Sequence, residues 1–292
     1  MNGPQAEIIY DPKPDLAAPR KLLRGIWHDF AFAGRELAWR LFVRNLRGMY
    51  RQTFLGMFWI FLPPIANTAI WVFLRSRNVF NFSLGDSAEA LRVDTTLYIL
   101  TGMILWQSFV DGLQMPLNSV SSNRGMIGRL NFPRESLILE GLYDLFFNLF
   151  IRLLLLVPAF GFLGGTLHWG LLLAVPLIIL MVIFAVGLGL ILVPFGTLYH
   201  DVPRFISIAL PFWMIITPII YYLPNQSPAS WLNWLNPASP LLVASRDCLL
   251  FGGTEHVLAT VVFATLAIPV FGLGLVVFRV AIPAIVERMV VT

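Results

Sequence analysis

Residues 153–200 read LLLLVPAFGFLGGTLHWGLLLAVPLIILMVIFAVGLGLILVPFGTLYH, without one Asp, Glu, Lys or Arg. A helix needs about 20 apolar residues to cross the hydrocarbon core of a bilayer, so this stretch is long enough for two crossings. Gly164-Gly165-Thr166, followed by His168 and Trp169, marks the turn between them. The pattern continues on both sides. Gln52–Leu74, Phe205–Ser245 and His256–Phe278 also lack charge, and Thr95–Asn123 is broken only by Asp111.

Composition agrees. The chain has 292 residues, 58% of them hydrophobic and 12% charged, against about 25% charged in a soluble domain. So few charges cannot cover a water-exposed globule, and lipid is the alternative solvent. The lone Cys248 rules out a disulfide framework and a cysteine-based metal site. The first long apolar run begins near residue 53, after a cationic segment, and is too long for the core of a secretory leader.

The expected architecture is an all-α integral membrane protein with six transmembrane helices at about 53–74, 95–116, 141–163, 170–194, 205–223 and 257–278. Residues 1–20, with four prolines among scattered charges, are expected to be a flexible tail. Residues 21–52 are expected to form an amphipathic interface helix. On a helical wheel Trp39, Phe42, Leu46, Met49 and Tyr50 gather on one side, with Arg40, Arg44, Arg47 and Arg51 roughly 140° away. Such a helix lies in the membrane interface with its arginines toward headgroups and water.

Pro63-Pro64 sits in the middle of the first expected span and predicts a kink there. Residues 224–256 are too polar to cross and too apolar for an open loop. Pro224, Pro228, Asn233, Asn236, Pro237 and Pro240 punctuate short apolar pieces, which predicts two short re-entrant helices before the last span. Residues 279–292 are left as a short tail.

Orientation follows from Lys and Arg. With both termini in the cytoplasm, the inner segments carry fifteen cations and the outer ones four, with Arg152 inside a span. An even number of spans agrees with that placement.

Ionisable residues within a span are costly and usually functional. Glu140, Asp144, Asn148 and Arg152 recur every four residues, so they share one helical face as a polar seam. The seam can serve a moving gate or a static packing network. Asp111, in the second span, is a candidate partner for Arg152. A proton relay is disfavoured because His28, His168, His200 and His256 all lie outside the spans or at their ends. Aromatic residues open the first span at Phe54, Phe58 and Phe61 and line the fifth at Phe205, Phe212 and Trp213. Aromatic faces stack on sugar rings, and they also populate lipid-facing belts.

Catalytic equipment is missing. A phosphate-binding loop needs G-K, and the two lysines, Lys13 and Lys21, follow Pro12 and Arg20. No H-E-x-x-H or G-x-S-x-G is present, and Gly187-Leu188-Gly189 lies inside an apolar span, where small residues mean close helix packing. If ATP drives this chain, the ATPase is another polypeptide.

Four segments carry a family resemblance. Arg44–Pro64, RNLRGMYRQTFLGMFWIFLPP, is similar to R-x-L-x-x-R-Y-x-x-S/T-x-L-G-x-x-W-x-x-x-x-P, with Met49 before the Tyr in place of a cation. Asn131–Leu137, NFPRESL, is similar to F-P-R-E-x-L. Leu188–Val202, LGLILVPFGTLYHDV, resembles a segment ending R-D-V, with His200 at the Arg position. Thr217–Tyr222, TPIIYY, is followed by Leu235-Asn236-Pro237 and Arg246. Together they resemble the permease subunits of polysaccharide-export ABC transporters, which carry O antigen, capsule or teichoic acid, over residues 35–279.

The resemblance implies a multi-pass protein of the bacterial inner membrane. It would pair with a second copy of itself and two copies of an ABC ATPase that binds ATP and Mg. The chain itself would hold no catalytic residue, cofactor, metal or nucleic acid. The cargo would be a lipid-linked polysaccharide, met within membrane lipid. Arg124, Arg129, Phe132, Pro133, Arg134 and Glu135 would belong to the segment that couples to the ATPase. Alternatives are a permease of the same superfamily for drugs or lipids, a membrane enzyme acting on lipid-linked sugars, and an ion-coupled carrier.

Overall fold

The computed structural model describes residues 34–50, 54, 56–77, 93–129, 132–166, 168–199, 201–222 and 231–291. The side chains of 49, 50, 124, 128, 129 and 284–291 lie outside that description. So do the expected tail at 1–20, the first part of the interface helix, and His200.

Helices follow one another as α1 (Arg35–Tyr50), a 3-10 turn (Gly56–Ile60), α2 (Leu62–Ser76), α3 (Thr95–Ser122), α4 (Arg124–Arg129), α5 (Glu135–Phe162), α6 (Leu171–Leu198), α7 (Asp201–Ile216), α8 (Leu232–Leu235), α9 (Ser239–Phe251) and α10 (Val257–Val291). Among the described residues there is no strand. Within α5, α6 and α10, the segments Glu135–Phe162, Leu171–Leu198 and Val257–Pro283 are long and apolar enough to cross a membrane.

The bundle is organised around α6 and α3. Helix α6 packs against α10, α3 and α9, while α3 also receives α5 and α2, and α1 lies on α5. Helix α3 is buried along most of its length, from Leu97 to Val120. Gly187 makes the α6–α10 crossing possible: a Cβ there would stand 2.7 Å from the Phe271 backbone nitrogen. The small residues read as packing residues in the sequence are therefore at a helix crossing, as the bilayer favours.

Three expected segments differ in detail. Residues 53–74 do not form one continuous helix, because Pro63 and Pro64 occupy the first turn of α2 instead of its middle. In a continuous helix their rings would collide with the carbonyls of Trp59 and Ile60. In a first turn the missing N–H groups cost nothing. The chain from 56 to 60 accordingly tightens into a 3-10 turn, and the α-helical face expected to group Phe54, Phe58 and Phe61 does not form. Phe58 and Phe61, three apart, keep contact with ring centroids 6.4 Å apart.

The segment expected at 205–223 is the 16-residue helix α7, which ends before Thr217-Pro218. A residue preceding proline is pushed out of the helical region. Residues 279–291, expected as a separate tail, continue α10 as helix.

Helix α1 follows the amphipathic pattern in part, since Trp39, expected on its apolar side, is 56% exposed and Leu46 only half-buried. Ala38, Leu41 and Phe42 are buried while Arg40, Arg44 and Arg47 are exposed. Phe42 meets Tyr143 and Phe147 of α5 edge-on at 6.1 and 5.9 Å, so aromatic packing fixes α1 on that helix.

Candidate functional site: a polar cleft between three helices

The seam on α5 faces a second polar stripe that was not singled out in the sequence. Along α3, Gln107, Asp111, Gln114, Asn118 and Ser122 recur at spacings of four, three, four and four, which keeps them on one side of a helix. The spacing is readable in the sequence, but only Asp111 carries charge, and neutral amides give a weak signal in an apolar run. Asn45 of α1 completes the third wall.

Between these walls lies a cavity of about 420 Å3 that includes Asn45, Asp111, Gln114, Asn118, Glu140 and Asp144 in its lining. Helices α3 and α5 cross closely beside it. A Cβ on Gly141 would collide with the Met115 sulfur and stand 2.8 Å from Ser119 Oγ.

Hydrogen bonds anchor the walls. Arg152 Nη1 donates to Asp111 Oδ2 at 2.5 Å, and Gln107 Nε2 donates to Asp111 Oδ1 at 2.8 Å. Asn148 Nδ2 donates to Asp144 Oδ2 at 3.1 Å. Asn45 Nδ2 donates to Glu140 Oε1 at 2.9 Å and thereby ties α1 to α5. Glu140, Asp144, Asn148 and Asp111 meet at one cleft, and Arg152 reaches it through Asp111. The Arg152 pair is shielded, with side-chain exposures of 9% and 29%, so its removal leaves a poorly solvated charge.

The lower rim of the cleft passes into the segment expected to couple to an ATPase. Asn123 Nδ2 caps α3 through Ser119 O at 2.8 Å, and the Asn123 carbonyl accepts Met126 N and Ile127 N at 3.0 Å, starting α4. Ile127 is buried, and α4 packs on α10 and α3. Phe132 packs against the core and Pro133 is buried. Arg134 is half-buried. Glu135 is also buried and pairs with Arg279 Nη1 of α10 at 3.0 Å, so this carboxylate faces its own bundle. Arg124 and Arg129 lie on α4, but their side chains are outside the described residues.

The aromatic candidates separate into two groups. Phe54, Phe58, Phe205 and Phe212 are exposed, and Phe61 is partly so. Trp213 instead turns inward, against Trp106 and Phe109 with ring centroids 6.1 and 5.6 Å away. Its Nε1 donates to Asn236 Oδ1 at 2.8 Å, and Asn236 Nδ2 donates in turn to Thr217 Oγ1 at 2.9 Å.

That bond belongs to a second polar region that the sequence reading largely missed. Arg246 of α9 is fully buried, its guanidinium 4.0 Å over the Tyr98 ring. Nη1 donates to Pro218 O at 2.7 Å and Ile219 O at 3.3 Å. The helix end α7, the turn after it, α3 and α9 are thus pinned together. Among the described residues no group of three His, Cys, Asp or Glu side chains is placed to hold a metal ion.

Residues 36–250 match the ABC-2 type transporter model. The chain belongs to the ABC-2 type transporter family. The matched segment of this ABC-2 chain runs from α1 to α9 and contains every residue of the cleft. Relatives include the O-antigen export system permease protein RfbA of Klebsiella pneumoniae, 25% identical over 80% of this chain and 87% of the relative. RfbA of Myxococcus xanthus is 24% identical over 72% and 78%. The polysialic acid transport protein KpsM of Escherichia coli is 22% identical over 82% and 91%.

Proposed function

We propose that the chain is the membrane permease of an ATP-driven polysaccharide exporter, working in the bacterial inner membrane as two copies with two copies of a separate ATPase. The observation that carries this reading is the collinear similarity to export permeases over 72% to 82% of the chain. ATP and Mg bind on the ATPase, and this chain contributes the path and the coupling surface.

Six crossings with both termini inside are our reading, on the hydropathy pattern and the fifteen-to-four bias of cations. In it α2, α3 and α7 cross beside the three long apolar helices, and α8 and α9 form the re-entrant pair near the outer face. Helix α4 and the 132–135 segment meet the ATPase, with Arg124, Arg129 and Arg134 as the polar contacts. The Glu135–Arg279 pair links that segment to α10, and the rim of the cleft links it to α3. The exposed Phe54, Phe58, Phe205 and Phe212 and the partly exposed Phe61 line the path of a lipid-linked glycan.

The test is genetic and biochemical together. Deleting the gene is expected to strip polysaccharide from the cell surface and accumulate it inside, with restoration by the intact chain. The partner ATPase with its phosphate-loop lysine changed to alanine should give the same defect. Normal surface polysaccharide with loss of drug or lipid efflux would instead assign the chain to other cargo of this superfamily.

A further inference from the structure

We infer that the cleft between α1, α3 and α5 binds the hydroxyl-rich units of a neutral glycan and discriminates against polyanionic ones. The inference rests on the export reading and adds a site and a cargo class to it.

Hydrogen-bonding capacity is the first argument. Elsewhere α3 satisfies its hydroxyls locally: Thr101 Oγ1 donates to Leu97 O and Ser108 Oγ to Ile104 O, both at 2.8 Å. In the cleft it does not. Among the described residues the half-buried Gln114 and the exposed Asn118 and Ser122 make no side-chain hydrogen bond, so all three present their polar atoms to the cavity they line. Glu140 and Asp144 each have one oxygen bound, leaving Glu140 Oε2 and Asp144 Oδ1 open. Arg152, more than nine-tenths buried, bonds Asp111 through Nη1 while its Nε has no partner. Among the described residues Thr68 Oγ1 and Arg75 Nη1 are also buried without a partner, but this cleft is where open donors and acceptors from facing helices gather around one cavity, and water or a ligand there supplies their partners.

The chemistry of those groups selects the ligand. A sugar hydroxyl both donates and accepts. Carboxamides and hydroxyls answer both roles, and carboxylates accept. A volume of about 420 Å3 lies within the range of small-ligand pockets. Charge then decides between glycans. Asp111, Glu140 and Asp144 face the cavity; Arg152 offsets Asp111, and the exposed Arg44, which bonds Asn45 Oδ1 at 3.3 Å, offsets part of Glu140, so the excess charge of the lining is negative and rests on Glu140 and Asp144. A glycan bearing a carboxylate or phosphate on each unit would meet like charge there, whereas a neutral one would not.

The experiment uses the intact transporter in cells. A photoreactive benzophenone residue is placed at Asn118, at the exposed Phe150 of α5, or at the exposed Phe212 of α7. Cells making a radiolabelled neutral polymer are illuminated during export. Label on the permease at least about tenfold higher at 118 than at 150 supports the site. Capture at 118 of lipid or ATPase alone, or no capture at all, overturns it. Label at 212 but not at 118 sinks the cleft while keeping the export reading. Unchanged surface polymer on deleting the gene sinks the export reading itself.

Selectivity is read with Glu140→Gln combined with Asp144→Asn, checked for normal membrane insertion. The intact transporter should capture labelled neutral polymer several-fold over an oligosialic acid of equal length, and the double variant should lose that preference. An unchanged ratio would overturn the charge argument.

Discussion

Helix α3 carries a polar region toward each end, and the two are built in opposite ways. Near its start, Tyr98 lies under the fully buried Arg246, whose guanidinium is consumed by the ring and by the Pro218 and Ile219 carbonyls. Near its end, Asp111, Gln114, Asn118 and Ser122 face an open cleft in which the Gln114 and Asn118 amides and one oxygen each of Glu140 and Asp144 stay unpaired. Closed polar regions fix which helices are neighbours. Open ones are available to a ligand. Substitutions at the first end should therefore cost stability, and substitutions at the second should cost transport.

The largest loss is expected at Arg246. Arg246→Ala removes the guanidinium 3.4 Å from Asp247, which is 4% exposed and keeps Thr254 Oγ1 as a donor, and leaves the Pro218 and Ile219 carbonyls without theirs. Removing one member of a buried charged cluster costs roughly 3–5 kcal/mol. The variant should fail to accumulate as a monodisperse, folded permease, as read by detergent-solubilised size exclusion and thermal denaturation. A stable Arg246→Ala protein would mean that α9 is held by apolar packing alone.

Arg152 tests the border between the two regions. Its pair with Asp111 is shielded from one side and opens on the cleft from the other. Arg152→Met leaves Asp111 with only Gln107 as donor, and loss of a hydrogen bond to a charged group costs roughly 1.5–3 kcal/mol. Adding Asp111→Asn removes the stranded charge and should recover much of that loss. A melting temperature that does not recover in the double variant would show that Arg152 acts through other contacts.

Asn45→Ala should have a smaller effect. The bond to the Glu140 carboxylate is partly buried and Asn45 itself is exposed, so its removal costs about 1.5 kcal/mol, the low end for a bond to a charged group. The aromatic contacts of Phe42 still hold α1 on α5. A spin label on α1 should report greater mobility with the bundle intact. No change in mobility would remove Asn45 as a tie between the two helices.

Much of this was legible in the sequence, for identifiable reasons. The all-helical class follows from charge-free runs, which only lipid tolerates, and three of the resulting helices are long and apolar enough to cross. The α5 seam was legible because a four-residue recurrence of charged and amide groups is conspicuous in an apolar helix. Its matching stripe on α3 was not, since Gln114, Asn118 and Ser122 carry no charge. The direction of Trp213 was hidden because wheel position does not reveal a partner such as Asn236, which is supplied from beyond the next turn. The Pro63-Pro64 pair gave the right physics at the wrong place: a double proline disrupts a helix interior and also begins a helix well, and only the neighbouring packing selects between these outcomes.

The smallest expected effect on stability is the sharpest test of the contrast. Gln114 lines the cleft, and its side chain makes no hydrogen bond among the described residues. Gln114→Leu keeps a similar volume and removes no internal partner, so the change in stability should stay within about 0.5 kcal/mol. Export, measured as surface polysaccharide per permease, should nevertheless fall several-fold, because a donor and an acceptor vanish from a wall meant for a ligand. Equal export at equal stability would show that the cleft is merely wet. Reduced stability would show that Gln114 is engaged and that the open end of α3 is, like the Arg246 end, part of the scaffold.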